Sequence, residues 1–396
     1  MTKRPLSVLF VASHPVQYAS PIFRLLAKDP RIEVQVAYCS MQGAESHWDP
    51  DFGVEVKWDI PLLDGYPWIA MRNRSPFRRH GFLRLLNPQV WRLIRSRKFD
   101  AVVFYTGYMC ATFWLGILAA KWSHVAVLFG TDAHDLSPRD HKKWKLWIKR
   151  RLWPQLFRLA SVVIVPSSGG VALMNSLGIP ERRIVLTPYT VNNEWWTERF
   201  KQADRGAARA RWEIPEEAVV ILFSAKLQPW KRPLDVLRAF ARIPAADLYL
   251  VFAGDGSLRS ALEAEAKSLD VAARIRFLGF VNQSGLPETY TASDILVLPS
   301  EYEPFGVVVN EAMLCGCCPV VSDRVGARFD LIREGETGFV FRAGDVDALA
   351  GVLRMVVRDG ATLKRVGRAA RERMTTWSPL TNVDKTIGAI EYAVTL

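Results

Sequence analysis

Cysteine is scarce and odd in number, five in 396 residues. That argues against a disulfide framework and for a reducing compartment. Three of the five crowd together as Cys315, Cys317 and Cys318, with no His or Cys pair at zinc spacing to accompany them. They read as small buried residues, and no metal is expected. Internal repeats and low-complexity tracts are absent, which sets aside repeat architectures. Long apolar runs are few. Residues 6–12 follow Lys3 and Arg4 in the manner of a signal peptide, but the run is short and leads into His14-Pro15-Val16-Gln17-Tyr18. A buried first strand is expected instead. Residues 101–120 carry no charge over a length that can span a bilayer. Thr106-Gly107-Tyr108 interrupts the run, so a buried strand (101–105), a turn and a buried helix (109–121) are expected.

What is present is a globular balance, 49% hydrophobic and 23% charged residues, in a chain long enough for two cores. Its net charge of +12 is unevenly placed. Residues 1–200 hold 27 Lys and Arg against 15 Asp and Glu, whereas 201–396 hold 25 of each. Eleven of the 14 Trp lie in the first half as well. One half is built to meet something anionic and partly apolar; the other is electrostatically balanced.

Short apolar runs alternate with helical patterns throughout. Strands are expected at 8–11, 33–38, 101–105, 125–129, 162–165 and 184–186, and again at 219–223, 248–252, 275–278, 295–298 and 319–321. Near-continuous apolar strands separated by helices indicate parallel sheets covered on both faces. The fold class is therefore α/β, with two facing doubly wound, Rossmann-like domains and a cleft between them. The first is placed at 1–195 and the second at 205–377, with the polar stretch 192–211 as linker. Residues 378–396 form a final helix able to pack back on the first domain.

The densest chemistry lies in Ser300-Glu301-Tyr302-Glu303-Pro304-Phe305-Gly306-Val307-Val308-Val309-Asn310-Glu311. A strand ends, a loop follows, and Pro304 is preorganised to open a helix. Phe305, Gly306 and Val307 then lie in a first turn whose unpaired amides suit phosphate. Glu303 and Glu311 border the same site, and a carboxylate can grip a vicinal diol. Residues 219–223 lead into a loop with Lys226 and Lys231, paired cations suited to a diphosphate that gains charge as it leaves. Gly254 and Gly256 follow the next strand and permit close backbone approach. Phe280 and Val281 end the strand after that, offering a ring and free backbone groups to a base.

In this order the segments resemble the retaining GT-B glycosyltransferases of family 4, the glycosyl transferases group 1. Glu303 and Glu311 match the family's two glutamates with seven residues between them, and Lys226 and Lys231 match its Arg or Lys followed five residues later by Lys. The likeness spans most of 215–380, and 187–193 resembles the interdomain segment. It implies that Lys226 and Lys231 bind the donor diphosphate, Glu311 the ribose hydroxyls and Glu303 the donor sugar, beside the Phe305 and Gly306 amides. It also implies retention of anomeric configuration without a metal or other cofactor. Departures are the Ser13-His14-Pro15 turn where many members carry a Gly-rich loop, and Lys226 in place of the commoner Arg, which loses the planar fork. Where many members place a His near the donor sugar, this chain has Gly130-Thr131-Asp132-Ala133-His134. His134, Asp132 and His14 are the candidates for that role.

Residues 139–158 hold eight Lys and Arg, one acid and three Trp. A helix there places Trp144, Trp147, Ile148 and Arg151 on one face, a mixture that suits a membrane interface. Residues 77–84 repeat it. The expected partners are a nucleotide-sugar donor, a glycan or lipid-linked acceptor and an anionic membrane surface. Nucleic acid is not expected, because no reader motif is present. The expected function is glycosyl transfer in cell-surface polysaccharide synthesis, in the cytoplasm at the inner face of the membrane. A sugar-nucleotide epimerase on the same fold and a non-catalytic membrane scaffold stand as alternatives.

Overall fold

The computed structural model describes residues 4–50, 52–76, 81–96, 98–138 and 142–396. The expectations placed on 77–80 and 139–141 lie outside the described residues. The chain forms two compact units, one made of 1–47, 61–189 and 379–396, the other of 48–60 and 190–378.

Among the described residues of the first unit, seven parallel strands lie in the spatial order Trp68–Ala70, Ile32–Tyr38, Leu6–Ala12, Ala101–Tyr105, Ala126–Gly130, Val162–Val165 and Ile184–Leu186. Successive side chains of a strand point to opposite faces, and here both faces are buried. Leu9 and Val11 enter a core with the helices Gln89–Ser96, Ala111–Trp122, Lys143–Phe157 and Ser168–Ser176. Val8, Phe10 and Ala12 enter another with Ser20–Lys28 and Pro379–Thr395. The uncharged run 101–120 divides into a strand and a helix. Among the described residues no helix is long and apolar enough to cross a membrane.

The second unit has six parallel strands, in the order Ile275–Gly279, Leu248–Ala253, Val219–Ser224, Ile295–Leu298, Cys318–Ser322 and Phe339–Phe341. In both sheets the strand order reverses beside the first strand, the arrangement that opens a crevice at the carboxyl ends of the strands. In the second unit the reversal lies between Val219–Ser224 and Ile295–Leu298. The loops carrying Lys226, Lys231 and Glu303 leave those two strand ends.

Three departures from the sequence expectation bear on the site. Residues 192–211 are not an open linker. They form the helices Asn193–Gln202 and Arg205–Arg211, capped by the Asn192 and Asp204 side chains. Trp196 is buried against Tyr290, and Arg205 and Arg209 both reach Asp294, at 2.6 and 2.8 Å. Secondly, 48–60 pack with the second unit, around the small hairpin His47–Asp49 and Val54–Val56. Thirdly, the helix expected from Pro304 begins at Val308 and ends at Leu314. A helix from 304 needs the Phe305 carbonyl for its own ladder, but Ala327 N donates to that oxygen at 2.8 Å and Gly326 N donates to Glu303 O at 3.0 Å. Gly306 then turns the chain with φ of +95°, a region open chiefly to glycine. Phe305 and Gly306 are therefore in the loop before the helix, and Glu303 and Glu311 do not share one helix.

Candidate active site

The loops at the reversal point are clipped together from both sides. Arg232 sits in the left-handed region at φ 53° and pairs with Asp235 at 2.5 Å and Glu301 at 3.0 Å. Glu301 N in turn donates to Trp230 O at 2.9 Å. The outcome is an ion pair between Lys231 Nζ and Glu303 Oε2, with Ser300 Oγ donating to the same oxygen at 3.3 Å. Ser300 is itself held by Ser322 Oγ, which donates to its carbonyl at 2.6 Å. Gly306 closes the loop tightly. A Cβ there would lie 3.0 Å from Leu298 Cδ2 and 3.2 Å from Glu303 Cγ, so a side chain at 306 displaces Glu303.

Glu311 is buried, with only 7% of its surface exposed. Tyr290 OH donates to its Oε2 at 2.9 Å and lies 3.1 Å from Ser224 Oγ. Burial pushes the Glu311 carboxyl up from 4.5 to about 7, against the opposing pull of hydrogen bonds from Tyr290 and Gln283. A raised carboxyl pKa means the folded chain keeps a proton that the unfolded chain has released. The contribution to stability therefore falls as pH rises from about 4.5 to about 7 and is level beyond, a loss of up to about 3 kcal/mol. Glu311→Gln removes the ionisation and keeps the shape. Its melting temperature is expected to exceed that of the wild type by more at pH 8 than at pH 5, in calorimetric scans; an equal margin at both pH values overturns this account. A buried carboxyl that costs stability at neutral pH marks a functional position rather than a structural one.

The Lys226 loop is held by the two glycines after the neighbouring strand. A Cβ on Gly254 would lie 2.0 Å from Ala225 O, and one on Gly256 would lie 2.8 Å from Leu227 O. Leu227 N donates to Asp255 O at 2.9 Å, and Leu258 N to Leu227 O at 3.0 Å. The close approach expected at these glycines is thus, in this structure, to the chain's own 225–227 backbone. Lys226 Nζ meets both oxygens of Asp49, at 3.0 and 2.9 Å, and lies 4.6 Å from the centroid of the Phe52 ring. Phe280 packs edge-on with Phe52 at 4.9 Å and against Trp58 at 6.1 Å. The Phe280 ring, expected to be offered to a base, is half-buried against these two rings.

Sequence comparison matches residues 204–373 to the family described as glycosyl transferases group 1 and residues 15–190 to the glycosyl transferase 4-like domain. Residues 204–373 therefore form a domain of the group 1 glycosyl transferases. A D-inositol 3-phosphate glycosyltransferase of Geodermatophilus obscurus is 34% identical over 228 residues, 55% of this chain and 49% of that protein. The chain thus spans about half the length of the curated relatives it matches. Among solved structures, Anabaena HepE in complex with UDP and glucose superposes with a TM-score of 0.73 and 20% identity, over 98% of this chain and 99% of that one. A lipopolysaccharide outer core galactosyltransferase, WaaB, gives 0.68 and 18%, over 98% and 99%. At these identities the likeness is one of fold, and the fold is GT-B.

In this glycosyl transferase fold the remaining candidates belong to the first unit. His14 follows the strand Leu6–Ala12, and its Nδ1 lies 3.0 Å from Ser13 Oγ. Burial first, then the charges of Arg84 and His47, lowers its pKa, which favours the neutral ring. Asp132 is exposed. It lies close enough to Tyr18 and Tyr189 for its charge to raise both phenols after burial has done so, and those two rings stand 5.4 Å apart. His134 is half-buried two residues further on. The five cysteines are all free and buried, with Cys317 Sγ donating to Tyr290 O at 3.1 Å. Asp49, Phe52, Trp58, Tyr290 and Ser224 escaped the sequence reading. Only Tyr290, an aromatic inside a short amphipathic helix, carried any local signal.

Proposed function

We propose that the chain is a retaining glycosyltransferase that moves a sugar from a nucleotide-sugar donor to a glycan or lipid-linked acceptor in cell-surface polysaccharide synthesis. The observation that carries this reading is the Lys231–Glu303 pair at the reversal point of the second sheet, with the Lys226 loop clipped beside it. Family membership and the UDP and glucose seen with the HepE fold support it. Lys226 and Lys231 take the diphosphate and offset the charge that develops as it leaves, without a metal. Glu311 takes the ribose hydroxyls. Glu303 orients the donor sugar, and Lys231 holds that carboxylate in place. Gly306 leaves the backbone beside Glu303 bare, with its amide and that of Phe305 beside the sugar and phosphate. The leaving phosphate accepts the proton of the incoming hydroxyl on the same face, which preserves anomeric configuration. His134, Asp132 and His14 are the candidates for the residue that the first unit places near the donor sugar. The first unit rests on an anionic membrane surface through its basic, Trp-rich helices, at the cytoplasmic face.

Thermal shift against UDP, GDP, ADP and CMP sugars tests the donor site. A ligand at 100 times its Kd adds about 2.7 kcal/mol of stability. One nucleotide is expected to raise the melting temperature, and Glu311→Ala to weaken that shift. No shift with any of them sinks the reading.

A further inference from the structure

Every cation of the candidate donor site already has a carboxylate. Arg232 is matched by Asp235 and Glu301, Lys231 by Glu303 and Lys226 by Asp49. Three of these four carboxylates lie in the second sheet's own loops and helix. Asp49 does not: it stands 177 residues before Lys226, in a segment whose flanks belong to the first unit.

The segment is built to hold that position. Phe52 N donates to Asp49 Oδ1 at 3.1 Å, and Gly53 N to Asp49 O at 2.8 Å. At the other end Asn282 Nδ2 donates to Lys57 O at 2.8 Å, and Ser284 N donates to Asp59 Oδ1 at 3.1 Å. Between these ends, Phe52 and Trp58 cover Phe280. One segment therefore occupies both the cation assigned to the diphosphate and the ring assigned to the base. Its composition fits the task. Residues 48–60 contain four acids and one lysine within a half of the chain that is otherwise strongly basic.

We propose that Asp49 is an internal counter-anion, seated on Lys226 until a diphosphate displaces it, and that 48–60 is a strap which the donor must lift. The proposal rests on the donor-site reading above. A diphosphate cannot engage the full charge of Lys226 while Asp49 accepts from it through two oxygens at hydrogen-bond distance. Binding then includes breaking a partly buried ion pair, and apparent affinity is lower by the free energy of that pair. The strap screens out weak anions, and it couples diphosphate binding to uncovering of the aromatic wall around Phe280.

The test is calorimetric titration of the full chain, as wild type, Asp49→Asn and Lys226→Ala, with UDP, GDP, ADP and inorganic pyrophosphate at one ionic strength. Asp49→Asn is expected to bind the preferred nucleotide and pyrophosphate about two- to fivefold more tightly, the range of a partly exposed ion pair. Amide exchange across 52–60 in the wild type is expected to speed up when that nucleotide is added. Unchanged or weaker binding by Asp49→Asn, with wild-type binding intact and lost in Lys226→Ala, overturns the strap and leaves the donor site standing. Binding that Lys226→Ala does not weaken, or no binding by the wild type, overturns the donor-site reading and the strap with it.

Discussion

Glu303→Gln and Lys231→Ala are each expected to lower kcat/KM for sugar transfer by about 10²- to 10³-fold, the cost of removing a charged group aimed at a transition state. The two side chains are only 13% and 19% exposed and face each other directly, so they act as a unit. Groups that act as a unit give strongly non-additive losses. The double variant is therefore expected to lose about as much as the worse single one, not the product of both. Loss of Lys231 leaves a half-buried carboxylate without its cation, which also destabilises the fold. Melting temperatures of all three variants must accompany the rates, and Glu303→Gln is the cleaner probe. Lys226→Ala is expected to raise donor KM as well as lower kcat, since Lys226 is assigned to the diphosphate both when it binds and as it leaves. A Glu303→Gln variant that keeps wild-type kcat removes Glu303 from the chemistry and leaves the Lys231 pair as structural support.

The contrast between these two lysines shows what the sequence discloses. The strands were readable because a parallel strand buried on both faces is a continuous apolar run, as in Val219–Ser224 and Ile295–Leu298. Loop residues at strand ends can then be assigned to one sheet edge, which places Lys231 and Glu303 at the same edge. Contacts made across long separations had no such trace. Nothing near Trp48-Asp49-Pro50 indicates a partner at Lys226. The helix start failed for the same reason: Pro304 is a sound local signal, but the 325–327 turn takes the carbonyls that a helix from 304 needs. Residues 192–211 read as a linker because Trp196, Ala208 and Arg209 are their few buried positions on an otherwise polar surface. Strands of three residues, such as Trp68–Ala70 and Phe339–Phe341, are too short for a period to show. At Gly254 the need for a bare backbone was legible, while the identity of what approaches it, Ala225 O, was a matter of tertiary packing.

The largest effect expected away from the donor site is on vesicle binding. The helices Gln89–Ser96, Ala111–Trp122 and Lys143–Phe157 pack on one core at one face of the first sheet. They contain Arg92, Arg95, Lys121, Lys143, Lys145, Lys149, Arg150 and Arg151 and no acidic residue. On their outer surface Trp122, Trp144 and Trp147 are 70%, 58% and 69% exposed, with Leu118 and Leu152 more than half exposed. Arg95 lies 5.9 Å from the centroids of both the Trp91 and Trp122 rings, which joins two of the helices into one basic, aromatic surface. A solvated amphipathic helix turns its large rings inward, as Trp153 does here at 5% exposure; three outward Trp among eight cations suit the headgroup boundary instead. Each cation near an anionic surface contributes about 1 kcal/mol, and salt screens that contribution over a Debye length of about 3 Å at 1 M. The wild type is expected to float with anionic liposomes at low salt and to be released at 1 M. The triple variant Trp122→Ala, Trp144→Ala, Trp147→Ala is expected to partition about 100-fold less, from apolar area that no longer enters the interface, with its melting temperature unchanged because the three rings are exposed. Failure of the wild type to float at low salt removes the membrane from the function. Flotation that the triple variant retains makes the surface purely electrostatic and the tryptophans incidental to it.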